Sequence, residues 1–205
     1  MGRPYNNLNI KSAPSNISPL DIVYESMSGT SERIVYLSGD VNEHSISNII
    51  TGLLTLANQD SKSPITLIVS TYGGSVDEMF SLYDVMKFLP CPVHTVGLGK
   101  IMSAGVLLMS AGKKGKRSIG KNARVMIHPI SSGNFGNIIE MVNEVDELKR
   151  MQTQMFDALL KETKLTKEKL NTIMGKGHDF YLNSAQAIEF GIADKIIGEW
   201  KWTNY

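Results

Sequence analysis

From Arg33 to about Ile197 the chain alternates short apolar runs with segments whose apolar residues recur every three or four positions. RIVYLSGDV (33–41) is alternating and β-branched, which predicts a strand. Asn42 then stands where a helix N-cap belongs, and Ile46, Ile49, Ile50, Leu53, Leu54 and Leu56 are spaced for one buried helical face. After the turn DSKSP, the run PITLIVS (64–70) is almost continuously apolar, as expected of a strand covered on both faces. TYGGSV leads into a second helix carrying Met79, Phe80, Tyr83, Val85, Met86 and Leu89, which Pro90 and Pro92 end. VHTVGLG (93–99) predicts a further buried strand, and the apolar stretch up to Gly112 a short helix beginning at Ser103.

KKGKRSIGKN (113–122) reads as a basic loop and RVMIHP (124–129) as a short strand whose end holds His128, since Pro129 forces the preceding residue to be extended. SSGNFG is a loop or loose extended segment. A long amphipathic helix runs from Asn137 to about Thr163, with shorter helices over about 167–174 and 185–190, the latter capped by Ser184 and stopped by Gly191. IADKIIGEWKW suggests a last strand. Repeated strand–helix units define an α/β class with a largely parallel sheet. Residues 1–19 read as a flexible tail and 20–205 as a single domain.

Composition narrows the function without naming it. A net charge of +1, from 21 basic and 20 acidic residues, makes no electrostatic case for nucleic acid or an anionic membrane. Cys91 is the only cysteine, so an internal disulfide and a cysteine-based metal site are excluded, and a reducing, cytoplasmic setting is the simplest inference. No apolar run reaches the roughly 18 residues of a membrane span. The first twenty residues lack acids and contain Arg3, Lys11 and several serines, as transit peptides do; their few basic residues and their prolines fit a disordered tail better.

The candidate chemistry centres on GKIMSAGVLLMSAG (99–112). Ser103 at a helix start is either an N-cap or a nucleophile. A nucleophilic serine needs a base, an acid to orient that base, and donors facing the oxyanion. The Ala104 N–H is one such donor, and the Gly73-Gly74 pair is either a second donor site or only a tight turn. Among the histidines, His44 reads as a surface residue and His94 as packed within a strand, leaving His128 and His178 to compete as base. Asp179 and Asp194 compete as acid, with Asp194 reading more simply as a surface residue. From these residues alone a Ser–His–Asp hydrolase is one option among several.

The segments together resemble the ClpP family of serine peptidases. The resemblance is carried by the GGSV turn, MSAG, the AGKKGKR loop, RVMIHP and YLNSAQAIEFGIADKII, and it covers about residues 30–197. It implies a spiral of β-β-α units related to the crotonases, with helix 137–160 protruding as a handle. It implies Ser103 as nucleophile, His128 as base, Asp179 as orienting acid, and the Gly74 and Ala104 amides as oxyanion hole. Substrate contacts are implied at Gly73, Ser75 and Val76, and at Gly133, Asn134 and Phe135, where a peptide would add as a strand. Members form stacked heptameric rings around a chamber and receive unfolded polypeptides from an AAA+ unfoldase; no cofactor or metal is implied. The chain departs from the family with Pro129-Ile130 in place of Gln-Pro, Gly177-His178 in place of an Asp-Arg pair that joins rings, and no apolar segment at the N-terminus. Beside this expectation stand a non-catalytic ring subunit acting as scaffold, and a crotonase-type acyl-CoA enzyme sharing the oxyanion geometry.

Overall fold

The computed structural model describes residues 33–133, 135–175 and 177–198. The expected tail (1–19), Asn134 and the last residues of the expected final strand (199–205) lie outside them. Strand β1 (Ile34–Val41) pairs in parallel with β2 (Ile65–Gly74), and β2 with β3 (Val93–Met102). Both β2 and β3 run further than their apolar patterns indicate, because ladder pairing continues through Thr71–Gly74 and Lys100–Met102 after the apolar run has ended. Between β2 and β3 the register slips: Val69 faces Gly97 but Thr71 faces Ile101, with Gly99 at φ +63° inside the bulge. This bulge splits β3. Its first half pairs with β4 (Arg117–Ile119) and its second half with β5 (Arg124–Ile127), so the end of β3 is carried away from the main sheet. Strand β7 (Lys195–Ile196) extends the sheet beyond β4, and β6 (Phe180–Asn183) pairs antiparallel with β5.

Helix α1 (Glu43–Gln59) starts at Asn42 as expected, with a reciprocal capping box to Ser45, and buries Ile46, Ile49, Leu53 and Ala57. Helix α2 (Val76–Phe88) buries Met79, Leu82, Tyr83 and Met86 against α1 and the short, fully buried α3 (Ala104–Ser110). The β1–β3 core strands and these helices share one apolar cluster that also encloses Cys91. Helix α4 (Ile138–Glu162), capped by Asn137 and Glu140, is the expected long helix, but only Met155, Leu159 and Glu162 near its end are buried. Its first half leaves Ile138 81% and Ile139 73% exposed, alongside Met141, Val142 and Val145.

The base of α4 is held by charge. The buried Glu162 carboxylate accepts from the Tyr83 hydroxyl at 2.9 Å, pairs with Lys87 at 2.7 Å and lies 3.4 Å from the Lys114 ammonium. Burial alone would raise its pKa, but the bonds from Lys87 and Tyr83 and the nearby ammonium charges reverse this and lower it. Its backbone carbonyl, at the negative end of the helix, accepts from Lys114 and, at 2.8 Å, from Arg117.

Helices α5 (Lys167–Gly175) and α6 (Ser184–Glu189) complete the helices of the described residues. Ser184 is not the cap of α6: Asn183 accepts from Gln186 N and forms the capping box, while the Ser184 hydroxyl donates to Lys121 O at 2.7 Å. The basic segment 113–122 is not simply a loop, since it contains β4 and the buried Arg117. The described part of the 131–136 segment forms no strand, and Phe135 is 99% exposed.

Candidate active site

Ser103 sits between β3 and α3, and its backbone is unusual. It is the only non-glycine residue with positive φ among the described residues, at φ 54° and ψ −121°. Such a conformation costs about 1–3 kcal/mol and persists only where surrounding bonds impose it. Here the parallel pairing of Met102 with Met126, continued by Ser103 N donating to Met126 O at 2.8 Å, supplies the constraint. The Ser103 side chain makes no capping bond to α3. Instead its Oγ lies 2.8 Å from His128 Nε2. The N-cap reading of Ser103 is therefore overturned, because the left-handed backbone turns the hydroxyl away from the helix and toward the end of β5.

The glycine pair at the end of β2 has a positional cause. Gly73 has φ +102° and Gly74 φ +149°, and a Cβ on Gly73 would stand 2.6 Å from Ser103 Cβ and 3.1 Å from Ala104 N. A Cβ on Gly74 would collide with Val41 O. Sequence reasoning missed Thr71, whose buried hydroxyl oxygen accepts from Gly73 N at 2.9 Å and so fixes this turn from beneath. Thr71 Cγ2 also fills the space that any side chain at Gly105 would need. The Ala104 N–H belongs to the first turn of α3, where amides have no partner within the helix. The Ser75 hydroxyl oxygen accepts from Glu78 N at 3.3 Å and so caps α2.

His128 follows β5 directly. The antiparallel ladder with β6 ends at Ile127 opposite Phe180, so His128 and Asp179 stand at the next opposed positions. Arg124, Met126 and His128 alternate onto one face, as do Asp179, Tyr181 and Asn183 on the adjoining strand. The ladder thus brings Asp179 alongside His128, but no hydrogen bond joins the two among the described residues. Asp179 Oδ2 accepts instead from the Tyr181 hydroxyl at 3.1 Å. That bond, with some burial and the Asp179 charge, raises the Tyr181 pKa.

A small cavity of about 60 Å³ opens beside Ser103, lined by Gly74, Val76, Met79, Ala104, His128, Ile130, Ser131 and Met155. Val76 is among the expected contacts here. Met79 reads in the sequence only as part of a helix's core face, Ile130 only as a departure from the family pattern, and Met155 is not singled out within the long amphipathic helix. Ile130 N donates to the Gln152 side-chain oxygen at 3.0 Å, tying the segment after His128 to α4. Gly133 and Phe135 are exposed and do not line this cavity.

The competing residues fall elsewhere. His44 is exposed on α1, within 3.4 Å of Asn48. His94 lies within β3, and burial, then the charges of Lys116 and Lys195, lower its pKa. His178 is exposed in the loop before Asp179, and the histidine bonded to Ser103 is His128. Asp194 is not a plain surface residue: its carboxylate accepts from Arg117 N at 3.0 Å, Nε at 2.9 Å and Nη2 at 2.5 Å. Burial opposes ionisation of Asp194, but these bonds and the guanidinium charge hold its pKa down at about 2. The pair ties β4 to the residue just before β7.

Comparison with known proteins places these features in context. The profile of the Clp protease family matches residues 21–199. The chain is 32% identical over 166 residues to an ATP-dependent Clp protease proteolytic subunit of Borreliella afzelii, covering 81% of this chain and 83% of the relative. It is 34% identical over 166 residues to ATP-dependent Clp protease proteolytic subunit 1 of Corynebacterium glutamicum, covering 80% and 79%. An ATP-dependent Clp protease proteolytic subunit of Deinococcus radiodurans is 31% identical over 168 residues, covering 82% and 81%.

Proposed function

Since the chain belongs to the Clp protease family and has its α/β fold, we propose that it is a serine endopeptidase that hydrolyses peptide bonds of unfolded polypeptides. Ser103 is the nucleophile, His128 the general base, Asp179 the orienting acid, and the Gly74 and Ala104 amides form the oxyanion hole. The observation that carries this reading is the 2.8 Å contact between Ser103 Oγ and His128 Nε2. With its proton on Nδ1, the neutral imidazole accepts the serine proton at Nε2 as Oγ attacks the scissile carbonyl carbon. The carbonyl oxygen becomes an alkoxide facing the two amides, and each such donor is worth about 10²–10³ in kcat. His128 then returns the proton to the leaving amine, and water repeats the sequence on the acyl-enzyme.

The substrate lies extended along the Gly73–Val76 turn and the 133–135 segment, adding its backbone as a strand. The apolar side chains of Val76, Met79, Ile130 and Met155 that line the small cavity beside Ser103 support a preference for an apolar side chain next to the cleaved bond. The exposed apolar face on the first half of α4 supports assembly through that helix into stacked heptameric rings. An AAA+ unfoldase in the cytoplasm would deliver the substrate. Among the described residues no helix is long and apolar enough to cross a membrane.

A second reading, a non-catalytic ring subunit acting as scaffold, is favoured by one observation, the engagement of Asp179 by Tyr181 rather than His128. A fluorophosphonate probe separates the two. Covalent labelling of the wild type and none of Ser103→Ala supports the peptidase; no labelling of the native assembly supports the scaffold.

A further inference from the structure

We propose that Tyr181 is a positioning residue that holds the Asp179 carboxylate away from His128, so that its hydroxyl competes with the imidazole for the acid. This rests on the triad proposed above. The geometry supplies the competition. Asp179 and Tyr181 are two residues apart on one face of the chain entering and forming β6, while His128 stands across the ladder from Asp179. The carboxylate therefore has a donor along its own strand and a second across the ladder. In this structure it accepts from the first, at 3.1 Å. The ring of Tyr181 is itself fixed from the other side, since the Arg124 guanidinium lies 5.1 Å from its centroid. Arg124 begins β5, the strand that leads directly into His128, so the anchor of the tyrosine and the base that competes with it are carried by one short run of chain.

The consequence for chemistry is specific. While Asp179 faces Tyr181, no carboxylate among the described residues is bonded to the His128 imidazole to orient it or to stabilise the imidazolium formed when Ser103 gives up its proton. Turning Asp179 to His128 provides both. Removing the Tyr181 hydroxyl deletes the competing donor and leaves the ring, its contact with Arg124 and the β5–β6 ladder in place.

The test is hydrolysis of a short fluorogenic peptide by the assembled full-length protein. Four forms are compared: wild type, Tyr181→Phe, Asp179→Ala and the double variant. Tyr181→Phe is expected to raise kcat about two- to ten-fold, the range set by one ordinary hydrogen bond, with KM unchanged. In the Asp179→Ala background the same substitution should change neither. A kcat that is unchanged or lowered by Tyr181→Phe, or a rise that persists without Asp179, overturns the role of Tyr181. If instead Asp179→Ala alone keeps wild-type kcat, the acid assignment itself fails, and the proposed triad with it.

Discussion

Gly73 and Ser103 come so close that a Cβ on the glycine would lie 2.6 Å from the Cβ of the serine. The turn carrying the proposed oxyanion donor and the strained residue carrying the hydroxyl are thus fitted to one another through a missing side chain. Gly73→Ala should cost at least about 10²-fold in kcat, since it displaces the Gly74 amide or the serine or both. Secondary structure measured by circular dichroism should be retained. Wild-type turnover in this variant would show that the two segments have slack between them.

Ser103→Ala should lower kcat by about a million-fold, the scale on which a triad serine is lost, while the particle mass by light scattering stays that of the wild type. Retained hydrolysis would move the nucleophile elsewhere.

Asp194 contributes stability through the buried Arg117, and its pH dependence has a definite sign. Its folded pKa of about 2 lies below its ordinary 3.8. Its contribution is therefore fully present above the ordinary value and is lost as pH falls toward 2. Asp194→Asn should destabilise the protein by about 3 kcal/mol near neutral pH, since it leaves the buried guanidinium without its counter-charge. Urea unfolding of both forms should show this difference shrinking below about pH 4.

Placing charge on the exposed face of α4, with Ile138→Asp and Val142→Asp together, should reduce the size of the native particle without changing the thermal stability of the subunit. Both side chains lie outside the core, at 81% and 55% exposure, so their only expected work is between subunits. A particle of unchanged mass would place the contact on another surface.

Much of this architecture was legible in the chain alone. Periodicity located β1, β2, β3 and the four longer helices, and Asn42 marked a helix start, because these signals act over a few residues. Strands β4 and β6 were not legible: RSI lies inside a basic run and FYLN runs straight into a helix, and each is defined by its pairing with a strand distant in sequence. Arg117 read as part of a basic loop, yet its partner lies 77 residues away. The local sequence also singled out Ser103 while leaving open whether its hydroxyl capped a helix. Residues alone could not choose His128 over His178, or Asp179 over Asp194; the family resemblance made that choice. Contact between Ser103 and His128 spans 25 residues and needs β3 and β5 to pair, and the nearness of Asp179 to His128 needs β5 and β6 to pair. Short-range pattern determines which segments can become strands and helices, but strand pairing between distant segments is decided by burial of the whole core. That pairing alone brings the serine, the imidazole and the carboxylate to one end of the sheet, and it leaves the carboxylate on Tyr181.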